Sequence, residues 1–346
     1  MAVFILGNHT LPIFDHPIIT MGTFDGVHQG HVQIFNKMKE EAIRVAGTSI
    51  VITFDPHPRQ FLDLNSGVLL LTPLAQKIEY ILQSGIDHVV VVPFNKAFAS
   101  LSAQAYIEEF LWKQFHPHTL IIGYDHHFGH DRKGNIDLLK TFKEKYPFQL
   151  IEIPASQLNN IAISSTKLRK AIAEGDLNTA YEMTHRHYKL DGTVVKGNQL
   201  GRTIGYPTAN IQLTEPLQLI PQQGVYCGYI TIGQERFACM INIGIRPTVS
   251  TENRITIEAH IFNFDRTIYD LAISLDMYSF IRSEKKFESL EALKTQLALD
   301  AESAKKASLR VCKSGSRNKL LLRIALEVVS FRGITRSAFL RTAADG

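Results

Sequence analysis

Apolar residues fall along the chain in two rhythms, and the change from one to the other near residue 186 divides the sequence. Through about residue 183, short β-branched runs at Ile18–Met21, Ser49–Phe54, His88–Pro93, Thr119–Gly123 and Gln149–Ile153 alternate with helical patterns. The helical patterns lie at 31–46, 73–84, 102–115, 135–146, 164–173 and 176–184. Strand–helix alternation of this kind predicts a parallel sheet with helices on both faces, whose ligands sit beyond the carboxyl ends of the strands. After Tyr188 short strands recur between Gly and Pro: Lys189–Lys196, Gly224–Gly233, Arg236–Ile243, Ile255–Phe264 and Leu271–Tyr278. These predict a compact antiparallel barrel or sandwich, closed by a helix carrying Leu290, Leu293 and Leu297 on one stripe. The boundary falls at 184–188, with no repeat and no low-complexity linker.

Composition narrows the class. At 346 residues with 45% hydrophobic and 20% charged content, the chain suits two globular domains. No apolar run approaches the roughly 18 residues of a membrane span, and no basic stretch precedes an apolar one at the N-terminus, so no membrane association is expected. Cys227, Cys239 and Cys312 lack metal spacing and read as reduced, buried thiols of a cytoplasmic protein. The net charge of +4 is unevenly spread. From Leu309 on, eight Lys or Arg stand against Glu327 and Asp345, giving +6 and leaving −2 on the rest. The body is therefore not expected to bind nucleic acid. Beyond a possible short helix at Leu320–Val329, residues 308–346 read as a basic tail, disordered or atypical.

The chemistry begins at Gly22-Thr-Phe-Asp-Gly-Val-His-Gln-Gly-His31, which reads as strand end, glycine-rich turn and helix start. His28 and His31 then lie at a helix N-terminus, where free N–H groups and the helix dipole favour anions. Glycines at 22, 26 and 30 let backbone approach phosphates, so Gly22, Phe24 and Gly30 join the proposed nucleotide cradle. Two imidazoles donating to phosphates stabilise transition-state charge without a covalent enzyme intermediate. Competing fingerprints are missing: no G-x-G occurs, and Asn198 stands where a P-loop would need lysine. Ser164, Ser165 and Thr166 open a later helix as caps and phosphate donors, and Arg169, one turn on, is placed to clamp pyrophosphate. Asp55 and His57, in Thr53-Phe-Asp-Pro-His-Pro58, either line the crevice or serve the turn. The loop Gly123-Tyr-Asp-His-His-Phe-Gly-His130 matches no common zinc spacing. Asp125 and Phe128 are read there as facing a nucleotide or ring ligand.

The second half has Gly197-Asn-Gln-Leu-Gly-Arg-Thr-Ile-Gly-Tyr-Pro-Thr-Ala-Asn210. Gly201, Arg202 and Gly205 suit a phosphate-wrapping loop. Thr208 and Asn210, on alternate positions, offer neutral oxygens to a magnesium ion shared with nucleotide phosphates. Glu258, in Thr256-Ile-Glu-Ala-His-Ile261, is either a general base for a hydroxyl or an outward-facing strand residue.

Together these motifs, with Phe128–Gly134, Asn242–Thr248 and Ile281–Phe287, resemble the bacterial bifunctional riboflavin kinase/FAD synthetases from about residue 16 to 307. The resemblance implies an N-terminal Rossmann-like nucleotidyltransferase domain at 1–184 and an antiparallel Greek-key β-barrel with a terminal helix at 185–307. It implies riboflavin phosphorylation to FMN in the barrel, and FMN adenylylation to FAD and pyrophosphate in the N-terminal domain. ATP is the donor in both and Mg2+ the cofactor. It further implies that His28 and His31 bind ATP, that Glu258 is the base, and that Arg282 and Phe287 lie near the flavin. Thr23 and His127 depart from the commonest pattern. Partners are expected to be small molecules only, and oligomeric state is left open. The alternatives are another nucleotidyltransferase of the same superfamily, a class I tRNA synthetase relative without its lysine-rich loop, and a flavin-binding regulator that has lost its chemistry.

Overall fold

The structure, a computed structural model, describes residues 1–62, 67–124, 126–154, 164–197, 199–246 and 254–307. The chain forms two compact units, Met1–Tyr188 with Leu213–Gln222, and Lys189–Gln212 with the residues from Gln223 on.

The first unit is built on six parallel strands: β1 (Ala2–Ile5), β2 (Ile18–Met21), β3 (Ser49–Asp55), β4 (His88–Pro93), β5 (Thr119–Gly123) and β6 (Gln149–Ile153), in spatial order β1-β4-β3-β2-β5-β6. Ile18, Ile19, Ile50, Val51, Ile52, Val89 and Val90 are fully buried, because helices cover both faces of the sheet. Alternate strand residues feed two cores. Ile19, Ile50, Ile52 and Val90 pack with Phe110, Phe115 and Leu139, while Ile18, Val51 and Val89 pack with Phe35, Met38 and Ile81. The strand order reverses at β2, which lies between β3 and β5. A crevice opens at such a reversal, beyond the carboxyl ends of the strands.

Helix α1 (Gln29–Val45) starts directly after the glycine turn that leaves β2. It buries Ile34, Phe35, Met38 and Ala42 on one stripe and stops at Ala46, which is left-handed at φ 50°. Helix α2 (Leu74–Gln83) follows, then a continuous helix over 103–115 whose middle, Tyr106–Trp112, winds as a π-helix. Helices α3 (Ile136–Phe142), α4 (Ser165–Ala173) and α5 (Leu177–Thr184) are capped by the side chains of Asn135, Ser164 and Asp176. Leu70 exchanges backbone hydrogen bonds with Leu217 and Leu219, and the Tyr188 hydroxyl donates to the Leu219 carbonyl, which holds 213–222 to this unit.

The second unit is a closed six-stranded barrel of β7 (Tyr188–Val195), β8 (Ala209–Leu213), β9 (Gly224–Ile232), β10 (Glu235–Arg246), β11 (Arg254–Ile261) and β12 (Ala272–Arg282), in order β10-β11-β8-β7-β12-β9. Leu190, Ile230, Ile241, Ile243 and Leu275 are fully buried, and Val194 nearly so. A helix over 290–307 packs Ala301, Ala304 and Leu297 against Val225, Cys227, Met240 and Tyr278. Its inner stripe thus lies further along than Leu290, which is half exposed. Cys227 and Cys239 are free and buried. Cys312 and the tail lie outside the described residues.

Candidate active sites

The first site is the turn Gly22–His28. Gly26 adopts φ +86°, and a Cβ there would lie 2.7 Å from the Leu168 side chain, so this position requires glycine. Phe24 also has a left-handed φ of 48° and is buried edge-on to His31, with ring centroids 5.1 Å apart. Its ring props the histidine and is not displayed to a ligand. Gly30 is buried in the first turn of α1. The imidazoles of His28 and His31 stack at 3.7 Å and 19°. His28 is buried and His31 half-buried, and neither buried Nδ1 has a hydrogen-bond partner. Burial, reinforced by Arg186, lowers His28 to about 4. Burial, then the neighbouring His28, Arg186 and Lys77, holds His31 well below the ordinary histidine value. Both rings are therefore neutral near pH 7, each with one N–H to donate.

Three segments clasp this turn. The buried Asp25 carboxylate accepts from the backbone N–H of Leu71 (3.0 Å) and Thr72 (3.1 Å) and from Arg169 Nη2 (2.8 Å). Arg169 Nη1 also donates to the Leu69 carbonyl, and Ser165 Oγ to the Asp25 carbonyl. Arg169 is thus committed to Asp25 in this structure. Ser164 caps α4, and Thr166 is exposed in its first turn. Arg186 Nη2 donates to the carbonyls of Gly26 (3.2 Å) and Val27 (2.6 Å), and its guanidinium lies 4.2 Å from the Tyr80 ring centre. His57 is buried and lowered to about 4, chiefly by desolvation, while burial raises Asp55. Phe128 stacks on Tyr106 inside the core, and Gly134 leaves room for its ring. Asp125 lies outside the described residues. Asp25, Lys77 and Arg186 went unassigned in the sequence. The available signals were an acid inside the glycine motif, a lysine on the apolar stripe of α2, and an arginine just past α5.

The second site gathers on the barrel. Register pairs Asn210 with Glu258 across β8 and β11, and Asn242 with Glu258 across β10 and β11. Thr208 Oγ1 donates to Glu258 Oε2 at 2.9 Å. Thr208, Asn210 and Glu258 thus converge, with Asn242 beside them. A Cβ on Gly197 would lie 2.2 Å from Asn210 Nδ2, and one on Gly201 2.2 Å from the Tyr206 carbonyl, so the glycine loop lies tightly against this edge. Gly205 turns the loop with φ +84°, and Arg202 is exposed. His260 Nδ1 meets the Pro207 carbonyl at 2.8 Å and fixes the approach to Thr208.

Arg282 sits differently from its sequence reading. Its Nε lies 2.9 Å and its Nη2 2.7 Å from the buried Asp300 Oδ2, Nη1 donates to the Ser283 carbonyl, and the guanidinium faces the Phe287 ring at 5.7 Å. Its polar contacts anchor the terminal helix and the 283–287 segment. Among the described residues, no group of three or more His, Cys, Asp or Glu is arranged to hold a metal ion, and no helix is long and apolar enough to cross a membrane.

A glycine turn feeding a helix N-terminus at a sheet reversal, paired with a closed barrel carrying a Thr–Asn–Glu cluster, defines a two-domain transferase of phosphorylated nucleotides. Residues 13–167 match the FAD synthetase family and residues 184–308 the riboflavin kinase family. The chain belongs to the bifunctional riboflavin kinase/FMN adenylyltransferases. It is 37% identical to the enzyme of that name from Buchnera aphidicola of Acyrthosiphon pisum, over 86% of this chain and 95% of that one. It is 34% identical to the one from Escherichia coli K12, over 83% and 91%. A solved structure named a macrolide-efflux protein, from Streptococcus pneumoniae, superposes with a TM-score of 0.79 at 28% identity, covering 88% of this chain and 98% of that one.

Proposed function

We propose that the chain makes FAD from riboflavin in two ATP-dependent steps. In residues 185–307, the riboflavin 5′-hydroxyl attacks the γ-phosphorus of ATP, giving FMN and ADP. In residues 1–184, an FMN phosphate oxygen attacks the α-phosphorus of a second ATP, giving FAD and pyrophosphate. The observation that carries this reading is that two separate motif sets each converge on a compact cluster, the stacked His28–His31 pair and the Thr208–Asn210–Glu258 group.

Glu258 acts as base, taking the proton of the attacking hydroxyl while Thr208 holds its carboxylate. The oxygens of Thr208 and Asn210 beside a carboxylate fit a hard divalent cation, and Mg2+ held there supplies charge neutralisation at the nucleotide phosphates. In the first unit the N–H groups of His28 and His31, the amides at the start of α1 and the hydroxyls of Ser164, Ser165 and Thr166 bind the phosphate chain. Arg169 joins them by exchanging Asp25 for pyrophosphate. Gly22 and Gly30 keep the backbone close, and Gly201, Arg202 and Gly205 do the same around the second ATP. Phe287, held by Arg282, walls the flavin. The proposed setting is the cytoplasm, where the buried thiols stay reduced.

The test supplies riboflavin in one reaction and FMN in another, each with ATP and Mg2+, and resolves FMN and FAD by chromatography. Glu258→Ala is expected to stop FMN formation and spare FMN adenylylation, and His28→Ala with His31→Ala to do the reverse. Loss of both activities in either folded variant would refute separate sites.

A further inference from the structure

One buried charge remains without a role. Lys77, on α2, is 5% exposed, yet its Nζ donates to the Thr23 carbonyl at 3.2 Å and to the Phe54 carbonyl at 3.3 Å. The Thr23 carbonyl belongs to the glycine turn that leaves β2, and the Phe54 carbonyl to the last residues of the adjacent strand β3. A lysine is rarely buried without a strong reason, since an apolar side chain would fill this position on the helix stripe without desolvating a charge. The peptide plane supplies the reason. A carbonyl turned inward to Nζ forces the N–H of the same peptide unit the opposite way, so the Phe24 amide points away from the lysine, while Asp55 pairs with Pro93 of β4. Lys77, with the Thr53 hydroxyl that also donates to the Thr23 carbonyl at 3.2 Å, therefore fixes the Thr23–Phe24 peptide unit against the end of β3.

Resting on the adenylyl-transfer reading above, we infer that Lys77 is a positioning residue for that reaction: its ammonium ties the Thr23 carbonyl to the Phe54 carbonyl at the end of β3, presents the Phe24 amide to the ATP phosphates, and fixes a positive charge behind it. The groups that face it are the carboxylates of Asp25 and Asp55, which favour its charged form, and the imidazoles of His31 and His57, which burial keeps neutral with a smaller contribution from its charge. Desolvation outweighs the carboxylates and brings Lys77 to about 8, so the charge is present at neutral pH and is lost in mildly alkaline solution. The geometry stands apart from that titration, because a carbonyl of the glycine turn and one at the end of β3 converge on one nitrogen.

The experiment uses the full chain and measures both reactions on each preparation. Lys77→Met keeps the bulk and removes the charge. It is expected to lower kcat for FMN adenylylation at least tenfold while riboflavin phosphorylation by the same sample changes less than twofold. Lys77→Arg keeps the charge and should retain more activity than Lys77→Met. Wild type should also show an alkaline fall in kcat/KM for ATP near pH 8, a profile that reports free-enzyme groups. That fall should move upward in Lys77→Arg. A folded Lys77→Met within threefold of wild type would overturn the inference, as would an alkaline limb unchanged in Lys77→Arg. Should Lys77→Met fail to fold, the pH profiles of wild type and Lys77→Arg decide. Wild-type protein that makes no FAD from FMN would refute the underlying reading instead.

Discussion

Removing the Asp25 carboxylate should loosen the glycine turn from both its neighbours at once, and the size of the effect follows from its partners. Asp25 accepts from two backbone amides, Leu71 and Thr72, and from Arg169, with its side chain 4% and that of Arg169 28% exposed. Asp25→Ala strands two amides and one guanidinium. Breaking a buried charge pair costs roughly 3–5 kcal/mol, and the partial exposure of Arg169 argues against the upper end, so about 3–4 kcal/mol is expected. Arg169→Ala leaves the carboxylate its two amides and should cost about 2 kcal/mol. The double variant should lose less than the sum by about 1.5 kcal/mol, the worth of a charge-assisted contact. The only tryptophan of the chain, Trp112, lies in the first unit, so its fluorescence during urea unfolding reports that unit. Midpoints for wild type, both single variants and the double variant complete the cycle. Additivity within about 0.5 kcal/mol would show that Asp25 and Arg169 do not act as a pair.

Two further outcomes follow from buried charge. His28 titrates near 4 when folded against about 6.5 when unfolded, so the unfolded chain binds the extra proton as pH falls from 6.5 to 4. Stability is full above 6.5 and is lost through that window by roughly 3 kcal/mol, and His28→Gln should flatten the acid limb of a urea-midpoint profile. A profile as steep as wild type would refute this. In the barrel, Asp300→Ala should release Arg282 and the 283–287 segment, destabilise the unit by about 3 kcal/mol and raise KM for riboflavin at least tenfold with FMN adenylylation unchanged. Steady-state kinetics with each flavin check it, and an unaltered KM would show that Arg282 does not shape the riboflavin site.

The parallel strands were legible because burial on both faces leaves unbroken apolar runs, as at Ile50–Ile52 and Val89–Val92. Strand β1 was not, since four residues at a sheet edge, with Val3 partly exposed, carry no period. Strand β8 was missed because its five residues begin just after Pro207 and include Asn210, which marks a turn more often than a strand. Helix α3 stops at Phe142, short of the pattern that runs on to Tyr146, and 143–148 turn into β6 instead. The histidine pair announced itself through local chemistry. Its support did not, because Asp25 meets Leu71 and Arg169 from 46 and 144 residues away, distances that no local pattern spans. Arg282 shows the converse: its motif suggested a ligand, while Asp300, eighteen residues on, takes the guanidinium.

The electrostatic design of the first unit explains why neutral histidines suit an anion site there. Arg186 and Lys77 are held behind the glycine turn by backbone carbonyls, Gly26 and Val27 for one, Thr23 and Phe54 for the other. Their charge adds to desolvation in keeping His31 unprotonated, and Arg186 does the same to His28. Positive charge at neutral pH thus comes from two residues held by backbone carbonyls, while the stacked rings contribute N–H groups without repelling each other across 3.7 Å. A polyphosphate arriving at the N-terminus of α1 would favour imidazolium, so binding should draw protons from solution at pH values above about 4, where the free His28 is neutral. The cations that add to burial in keeping the rings neutral would then be the ones compensated by the ligand, which makes proton uptake a direct measure of how closely the phosphates approach the histidines.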